Sequence, residues 1–405
     1  MVTALAQQPP LTIAEYASKA QETDRFAEVP EGSSKLTFGF FGEVGGLLAA
    51  LKKVNRDQLR ESETEVAGEE IGDALWYLVA MANAQAIDPQ ALGIGCLAYL
   101  RNRFMENDHN SQGAINFRQI DGLLAFHGGG LEARRVELLG ELARMSGGVV
   151  GHGIRPQLAL GQSTQADLFG QLLAVLGLVS ASFMLKLEDI ARNNLVKIHG
   201  RWPGQDRTYA RLFDDGYEEH EQLPREIPME FIEREISRRT YVVQRLHGVY
   251  IGDRLTDNSN EPDNYRFHDV FHLAYVAHLG WSPVIRALLK VKRKSNQMID
   301  ENEDGARAMI IEEGIATWIF NHAKKRRFYK DVSDGKLDYG LLKQIHSMVS
   351  GYEVDACPLW QWEQAILDGF HVFRELLKPE HRGGTVIANM TDHTLTFKPP
   401  TRIAP

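Results

Sequence analysis

Three acidic residues near the start of the chain have the type and spacing needed to bind a hard metal ion. Glu70 and Asp73, in GEEIGDALWYLVAMA, are three residues apart in a helical pattern, so both carboxylates lie on one helix face. Glu43, in FFGEVGGLLAALKK on a preceding predicted helix, can complete the set. Oxygen ligands without His or Cys favour Mg²⁺ or Mn²⁺, which substrate phosphates also help to hold. We therefore predict metal binding and catalysis on a phosphate substrate by these three residues.

Residues 12–104 resemble the MazG-type nucleotide pyrophosphohydrolases, an all-α family. Glu70-Ile-Gly-Asp73, followed by Ala-Leu-Trp-Tyr, matches the family's Glu-x-x-Asp motif. Glu43-Val-Gly-Gly46 corresponds to the family's Glu-x-x-Glu motif, with glycine in place of the second glutamate. The resemblance implies Mg²⁺-dependent attack of water on the α-phosphorus of a nucleoside triphosphate, which releases a monophosphate and pyrophosphate. The missing carboxylate implies weaker metal binding.

The scaffold of these helices repeats later in the chain. An ungapped offset of 98 residues places Glu43 on Glu141, and the register holds from there to the end of the unit, which predicts a duplicated fold. The positions equivalent to the later carboxylate pair are Leu168 and Gln171, which bind a hard cation weakly or not at all. The metal-binding carboxylates are therefore predicted in the first copy alone.

The second copy carries a basic pattern instead. MazG-type proteins often end with Asn-x-x-Lys-x-x-x-Arg, which resembles a grip on phosphates and nucleotide, and Asn194-Leu-Val-Lys197 with Arg201 fits this pattern. The equivalent positions of the first copy are occupied by Cys96, Tyr99 and Arg103. The resemblance thus implies one composite site, with metal on the carboxylates of the first copy and substrate on Asn194, Lys197 and Arg201.

Another group of metal-ligand residues lies in the C-terminal half. His268 and His272, in YRFHDVFH, are one helical turn apart and can offer two nitrogens to one metal ion. Glu313, in MIIEEGIATWIF, follows on a later predicted helix. The set resembles the ligands of gluzincin metallopeptidases and predicts a second metal site for Zn²⁺ or Fe. Asp269 stands where those enzymes have their general base, glutamate.

Two other interpretations of these histidines remain open. His268-Asp269 also resembles the doublet of HD-type phosphohydrolases, for which His247 and either Asp300 or Asp304 would supply the remaining ligands. Alternatively, both histidines are structural and hydrogen-bond to neighbouring carboxylates.

The region from about residue 206 to 405 resembles the C-terminal domain attached to bacterial MazG-like proteins, through GDRLTDN, YRFHDVFHLAYVAHLGWSP and IEEGIA. This resemblance implies the pairing of domains and assigns no chemistry. The basic runs Lys290–Lys294 and Lys324–Arg327 are predicted to be solvated helix faces rather than RNA contacts. Trp360 and Trp362 are predicted core residues.

Composition limits the class of protein. The chain has 405 residues, of which 43% are hydrophobic, enough for two or three domains with sizeable cores. A net charge of −9 makes nucleic acid an unfavourable partner. The two distant cysteines, Cys96 and Cys357, argue against a disulfide framework and fit a cytoplasmic protein. We expect no secretory signal and no membrane partner, and we interpret the apolar run Leu168–Leu185 as a buried core helix.

The predicted fold class is mainly α. MazG-like four-helix units at residues 1–105 and 114–204, joined by a linker at Glu106–Gly113, precede an α+β domain at 205–405. Predicted helices span 12–21, 36–54, 65–86, 89–104, 131–150, 165–184, 187–202, 267–279, 283–294, 306–324, 339–349 and 359–377. Strands are predicted in IPMEFIERE, TYVVQRLHGVYIGDRLT and the tail TVIANMTDHTLTF.

The leading functional prediction is a Mg²⁺-dependent nucleoside triphosphate pyrophosphohydrolase. The alternative is a nucleotide-sensing regulator whose C-terminal domain is the effector. A third hypothesis places activity at the C-terminal metal site, as a hydrolase of phosphoesters or peptides. Family resemblance implies a homodimer, whereas the internal duplication allows a self-sufficient monomer.

Overall fold

The computed structural model describes residues 8–27, 29–57, 62–106, 113–152, 162–204, 207–237 and 239–400. The chain divides into two compact units with the boundary between His199 and Gly200. Both predicted helical copies lie within the first unit. Most of the predicted linker, residues 107–112, is outside the described residues.

The described residues of the first unit are helical. Its helices are α1 (Ile13–Glu22), α2 (Gly32–Asp57), α3 (Glu63–Ala84), α4 (Pro89–Phe104), α5 (Phe117–His127), α6 (Arg135–His152) and α7 (Gln162–Ser182), and α8 (Leu187–Arg201) reaches the unit boundary. Side chains from both copies form one continuous apolar core. The copies therefore fold together rather than as separate domains.

The helix boundaries follow the sequence repeat. The offset of 98 residues carries Glu63–Ala84 onto residues 161–182, and α7 spans Gln162–Ser182. Both helices are followed by a left-handed residue at equivalent positions, Ala86 (φ 53°) and Met184 (φ 59°). The next amide in each copy then bonds back to an equivalent carbonyl, that of Ala82 or Ser180.

The helices of the two copies cross at equivalent glycines. A Cβ atom added at Gly72 of α3 would lie 3.3 Å from the Asn194 Cβ of α8. A Cβ atom added at Gly170 of α7 would lie 2.7 Å from the Cys96 backbone nitrogen of α4. Since the offset relates Gly72 to Gly170 and Cys96 to Asn194, the packing of the unit is close to two-fold symmetric.

Helix α5 was not predicted from the periodicity. Its start is marked by a capping box, in which the Asn116 side chain accepts from the Gln119 amide and the Gln119 side chain accepts from the Asn116 amide. Thr12 caps α1 in the same way with Glu15. The two caps pair through an antiparallel bridge between Thr12 and Asn116, so the helices that open the two copies begin side by side.

One helix among the described residues is long and apolar enough to cross a membrane, over Gln165–Ser182. Of this window 72% is buried within the protein, and its residues from Leu172 to Val179 belong to the shared core. This burial agrees with the interpretation of the apolar run as a core helix.

The second unit combines helices with a five-stranded antiparallel sheet. Its strands, in the spatial order β3-β2-β1-β4-β5, are β1 (Glu226–Ile236), β2 (Arg239–Leu246), β3 (Val249–Leu255), β4 (Thr385–Asn389) and β5 (Thr394–Lys398). The described helices are α9 (Asp269–Leu279), α10 (Pro283–Leu289), α11 (Gln297–Asn302), α12 (Ala306–Lys324), α13 (Tyr339–Met348) and α14 (Leu359–Leu376). The mainly α class with a C-terminal α+β domain is thus confirmed. Trp360 and Trp362 are buried, as predicted.

One predicted helix of this unit is too long. The pattern predicted a helix over 283–294, but α10 ends at Leu289 because Lys290 is left-handed, with φ 64°. The turn that follows brings Arg293 into the core, where the guanidinium donates to Asp304 and Glu353. The interpretation of this basic run as a solvated face is therefore wrong for Arg293, which is 1% exposed.

Candidate functional site

Two of the predicted carboxylates of the first unit, Glu70 and Asp73, lie on α3, and the third, Glu43, lies on α2. A capping box at Ser62 and Glu65 fixes the start of α3. Helical spacing then places Asp73 one turn after Glu70 and Tyr77 one turn after Asp73.

Asp73 contacts two of the three residues that were predicted to bind the substrate. Lys197 Nζ lies 2.6 Å from Asp73 Oδ2, and Asn194 Nδ2 donates to Asp73 Oδ1 at 3.2 Å. Lys197 also donates to Glu69 at 3.0 Å. The buried Tyr16 hydroxyl donates to Asn194 Oδ1 at 2.8 Å, which fixes the orientation of the amide. The structure therefore brings together Asp73 from the first copy and Asn194 and Lys197 from the second.

Glu70 lies against the glycine that replaces the family's second glutamate. A Cβ atom at Gly46 would be 2.6 Å from Glu70 Oε2. The space that a side chain on α2 would need is thus taken by the carboxylate of α3.

Tyr77 lies in the electrostatic field of two of the predicted ligands. Burial raises the pKa of Tyr77 to about 12, and the negative charges of Glu43 and Asp73 add to the increase. The Tyr77 ring packs on α2, where a Cβ atom at Gly39 would be 2.2 Å from it. Neither Tyr16 nor Tyr77 was predicted as a site residue, although the spacing from Asp73 to Tyr77 is a helical turn.

The equivalent location in the second copy has been converted into an ion pair. Glu141, the counterpart of Glu43, accepts from Arg103 Nη1 and from the Tyr99 hydroxyl, both at 2.9 Å. Since Leu168 and Gln171 replace the other carboxylates, this location retains one acid, and a cation of the protein neutralises it.

Arg201, which was predicted to bind the substrate, lies in the second unit. Its guanidinium is 2% exposed in the second unit, where it forms an ion pair with Glu363 and donates to the Leu337 carbonyl at 2.9 Å. Because these partners hold both terminal nitrogens of a buried guanidinium, Arg201 is a structural residue rather than a phosphate ligand.

The predicted histidine pair of the second unit lies at the start of α9. His268 immediately precedes the helix and His272 lies in its first turn. His268 Nε2 is 3.1 Å from Asp269 Oδ1 and 3.8 Å from Glu313 Oε2 of α12. His272 Nε2 is 3.5 Å from the same Glu313 oxygen. The three residues predicted as ligands therefore converge, with Asp269 beside them.

The other ring nitrogen of each histidine is held by an acceptor. His268 Nδ1 donates to the Tyr265 carbonyl at 2.9 Å, and His272 Nδ1 donates to Glu312 Oε1 at 2.7 Å. Glu312 is fully buried and also accepts from the Ser282 hydroxyl and the Val284 amide. Both imidazoles are thus oriented with Nε2 towards Glu313.

The environment of His272 favours positive charge. Burial alone would lower the pKa of His272, but the carboxylates of Glu312 and Glu313 outweigh it and hold this pKa well above its usual range. A metal ion bound at Nε2 would have to displace this proton, and the same two carboxylates would stabilise the charge of the ion.

The ligands required by the HD-type interpretation are elsewhere. His247 is exposed at the turn between β2 and β3, with φ 49°. Asp304 is buried and bound by Arg293, while Asp300 lies 3.7 Å from Lys294. The structure therefore does not support this alternative.

The candidate metal ligands lie closer together in the second unit than in the first. Among the residues that the structure describes, His268, Asp269 and His272 are the one group of three His, Cys, Asp or Glu side chains whose ligand atoms lie within 4.8 Å of one another. Glu43, Glu70 and Asp73 do not form such a group. Their oxygen chemistry nevertheless fits Mg²⁺, which commonly uses one or two carboxylates and completes its shell with water and substrate phosphates.

Fold and sites define a mainly helical protein in which a duplicated helical unit precedes an α+β domain. Residues 208–401 match the family model of the MazG C-terminal domain. The match supports a MazG-like protein with a MazG-type C-terminal domain. This match indicates a nucleotide-related function. Comparisons with curated proteins and with solved structures gave no match.

Proposed function

We propose that the helical unit hydrolyses nucleoside triphosphates to monophosphates and pyrophosphate. The observation that carries the proposal is the meeting of Asp73 with Asn194 and Lys197, which joins an acid and a phosphate-binding cation across the two copies. The nucleotide-related family of the second unit supports it.

In this proposal the side chains exchange partners when the substrate binds. Lys197 leaves Asp73 and Glu69 for the triphosphate, whose higher charge attracts the ammonium more strongly. Asp73 is then available, with Glu43 and Glu70, to hold Mg²⁺. Tyr16 keeps Asn194 oriented through its hydrogen bond.

The reaction consumes one water molecule. Mg²⁺ bound by the carboxylates supplies Lewis acidity and neutralises phosphate charge. Water forms a bond to the α-phosphorus, the bond from this phosphorus to the bridging oxygen breaks, and pyrophosphate leaves. A carboxylate of the set accepts the proton of the water.

Two observations favour a second candidate function, that of a nucleotide-sensing regulator. Gly46 leaves the site one carboxylate short, and Lys197 already neutralises Asp73. A protein of this kind would bind the triphosphate at the same residues without cleaving it.

A panel of ribo- and deoxyribonucleoside triphosphates with Mg²⁺ or Mn²⁺ separates these functions. We expect the wild type to release pyrophosphate, Glu70→Gln and Asp73→Asn to lose this activity, and His268→Ala to retain it. Binding without turnover would support the regulator instead. Loss of turnover in His268→Ala alone would assign the chemistry to the second unit.

A further inference from the structure

We propose that His268, His272 and Glu313 bind a first-row transition-metal ion, such as Zn²⁺, at a centre that keeps a position open to solvent. The inference concerns the second unit and does not depend on the proposed pyrophosphohydrolase activity.

The distances from Glu313 to the two imidazoles suit a single ion. Zinc bonds to nitrogen or oxygen of about 2.0–2.1 Å, arranged tetrahedrally, place the ligand atoms roughly 3.3 Å apart. Glu313 Oε2 lies 3.5 Å from His272 Nε2 and 3.8 Å from His268 Nε2. Small side-chain shifts would bring the three ligand atoms to the separations that tetrahedral coordination of one ion requires.

A buried nitrogen without a hydrogen bond points into the same space. His272 is completely buried, and its Nε2 has no hydrogen-bond partner in the described part of the chain. A buried polar atom that lacks a hydrogen bond destabilises the folded protein. A metal ion bound at Nε2 satisfies this atom.

The hydrogen bonds behind the histidines have the arrangement found at metal centres. A metal-ligating histidine usually donates its second ring N–H to a backbone carbonyl or a carboxylate, which fixes the tautomer and the ring. His268 donates to the Tyr265 carbonyl and His272 donates to Glu312. Tyr265 also stacks on His268, with ring centroids 4.3 Å apart.

The ligand chemistry selects the type of ion. Two imidazole nitrogens and a carboxylate favour zinc, iron and similar ions over Mg²⁺, which prefers oxygen. The two metal sites proposed for this protein are therefore chemically distinct.

The centre is accessible on one side. The side chains of His268 and His272 are 8% and 0% exposed, whereas that of Glu313 is 44% exposed. Glu313 is thus at the mouth of the site, next to the hydrogen-bonded pair of Tyr265 and Thr317. Three protein ligands with an accessible edge are typical of centres that bind an exogenous ligand, whereas structural zinc sites are closed by four protein ligands.

The test is metal binding by the full-length protein. After chelation and removal of the chelator, the protein is titrated with Zn²⁺ and with Co²⁺, whose visible absorption reports nitrogen coordination. We expect one ion per chain, absorption bands of nitrogen-bound Co²⁺, and an increase in melting temperature with Zn²⁺. His272→Ala and Glu313→Gln should each weaken Zn²⁺ binding at least about tenfold. Loss of a residue that only hydrogen-bonds to a metal ligand already has an effect of about this size.

His346→Ala is the matched control, because this histidine is 41% exposed and pairs with Asp355 outside the cluster. It should bind metal as the wild type does. Since Glu313 is partly exposed, Glu313→Gln gives a result even if His272→Ala does not fold. Failure of the wild type to bind either ion, or wild-type affinity in Glu313→Gln, would overturn the inference.

Discussion

Lys197 Nζ lies 2.6 Å from Asp73 Oδ2, although the two residues are 124 positions apart and belong to different copies of the helical scaffold. In the proposed site, the first copy supplies this acid and the second copy supplies the cation. At the equivalent location a different pair of positions is joined: Glu141 and Arg103, the counterparts of Glu43 and Arg201, form the ion pair.

Asp73→Asn should abolish pyrophosphate release, because the neutral amide is a poor Mg²⁺ ligand and leaves Lys197 without its closest acidic partner. Glu69→Gln is the matched control, since Glu69 pairs with the same ammonium at 3.0 Å but is 45% exposed. Its activity should stay within about fivefold of the wild type, as expected for an exposed ion pair of about 0–1 kcal/mol. Steady-state assays under identical conditions compare them, and equal losses in both variants would contradict the assignment.

Gly46→Ala should lower activity about ten- to a hundredfold, because its Cβ would displace the Glu70 carboxylate, and misplacement by about 1 Å can cost 10²-fold. Gly45→Ala provides the control, with nothing within 4 Å of the added Cβ atom. Replacing glycine with alanine inside a helix stabilises the helix by about 0.5–1 kcal/mol, and both variants gain this stability. Activity and melting temperature are measured for both variants. Equal activity would show that the position of Glu70 is unimportant.

Gly170→Ala should destabilise the first unit by about 1–3 kcal/mol, because the new Cβ would meet backbone atoms of Gly95 and Cys96 at 2.7 Å. Gly140→Ala, on the exposed face of α6 with nothing within 4 Å, should instead be stabilising. Urea unfolding followed by circular dichroism measures the difference. A stabilising Gly170→Ala would exclude the close helix crossing.

Glu363→Gln should destabilise the second unit by about 3–5 kcal/mol, because it leaves the buried Arg201 charge without its partner. Arg207→Ala breaks an exposed ion pair with Asp334 and should cost at most about 1 kcal/mol. Tryptophan fluorescence during urea unfolding is a suitable readout, since five of the six tryptophans lie in residues 200–405. A small effect of Glu363→Gln would mean that Arg201 is not held as described.

Glu312→Gln should weaken binding of Zn²⁺ about 10- to 100-fold, because Glu312 orients His272 without contacting the ion itself. Ser282→Ala removes another hydrogen bond to Glu312 and the cap of α10. It should cost about 1 kcal/mol of stability and leave metal affinity nearly unchanged. Isothermal titration of both proteins distinguishes orientation from general destabilisation, and equal affinity losses would argue against orientation.

Local patterns predicted much of the fold. The ranges of α4 and α12 agree with the prediction at both ends. Pro89 marks the start of α4, and hydrophobic periodicity predicted α12. The strands of the second unit lie in the predicted segments. Periodicity did not predict α5, because its apolar pattern is short and follows a polar stretch. The capping box at Asn116 is the sequence signal that marks its start.

The candidate sites depend on contacts that spacing does not contain. Helical spacing places Lys197 and Arg201 near the same face of α8, but it does not reveal that Glu363, 162 positions from Arg201, is buried beside that guanidinium. The position of Glu70 against Gly46 likewise depends on the approach of two helices. The histidine cluster could be predicted because one turn of a helix sets the distance between His268 and His272.

Cleavage of a nucleoside triphosphate by the wild type in H₂¹⁸O, with products followed by ³¹P NMR and mass spectrometry, tests the central claim most directly. Attack at the α-phosphorus predicts ¹⁸O in the nucleoside monophosphate and an equal amount of unlabelled pyrophosphate, with neither product formed by Asp73→Asn. Label in pyrophosphate or inorganic phosphate, or no cleavage of any triphosphate with Mg²⁺ or Mn²⁺, would contradict it.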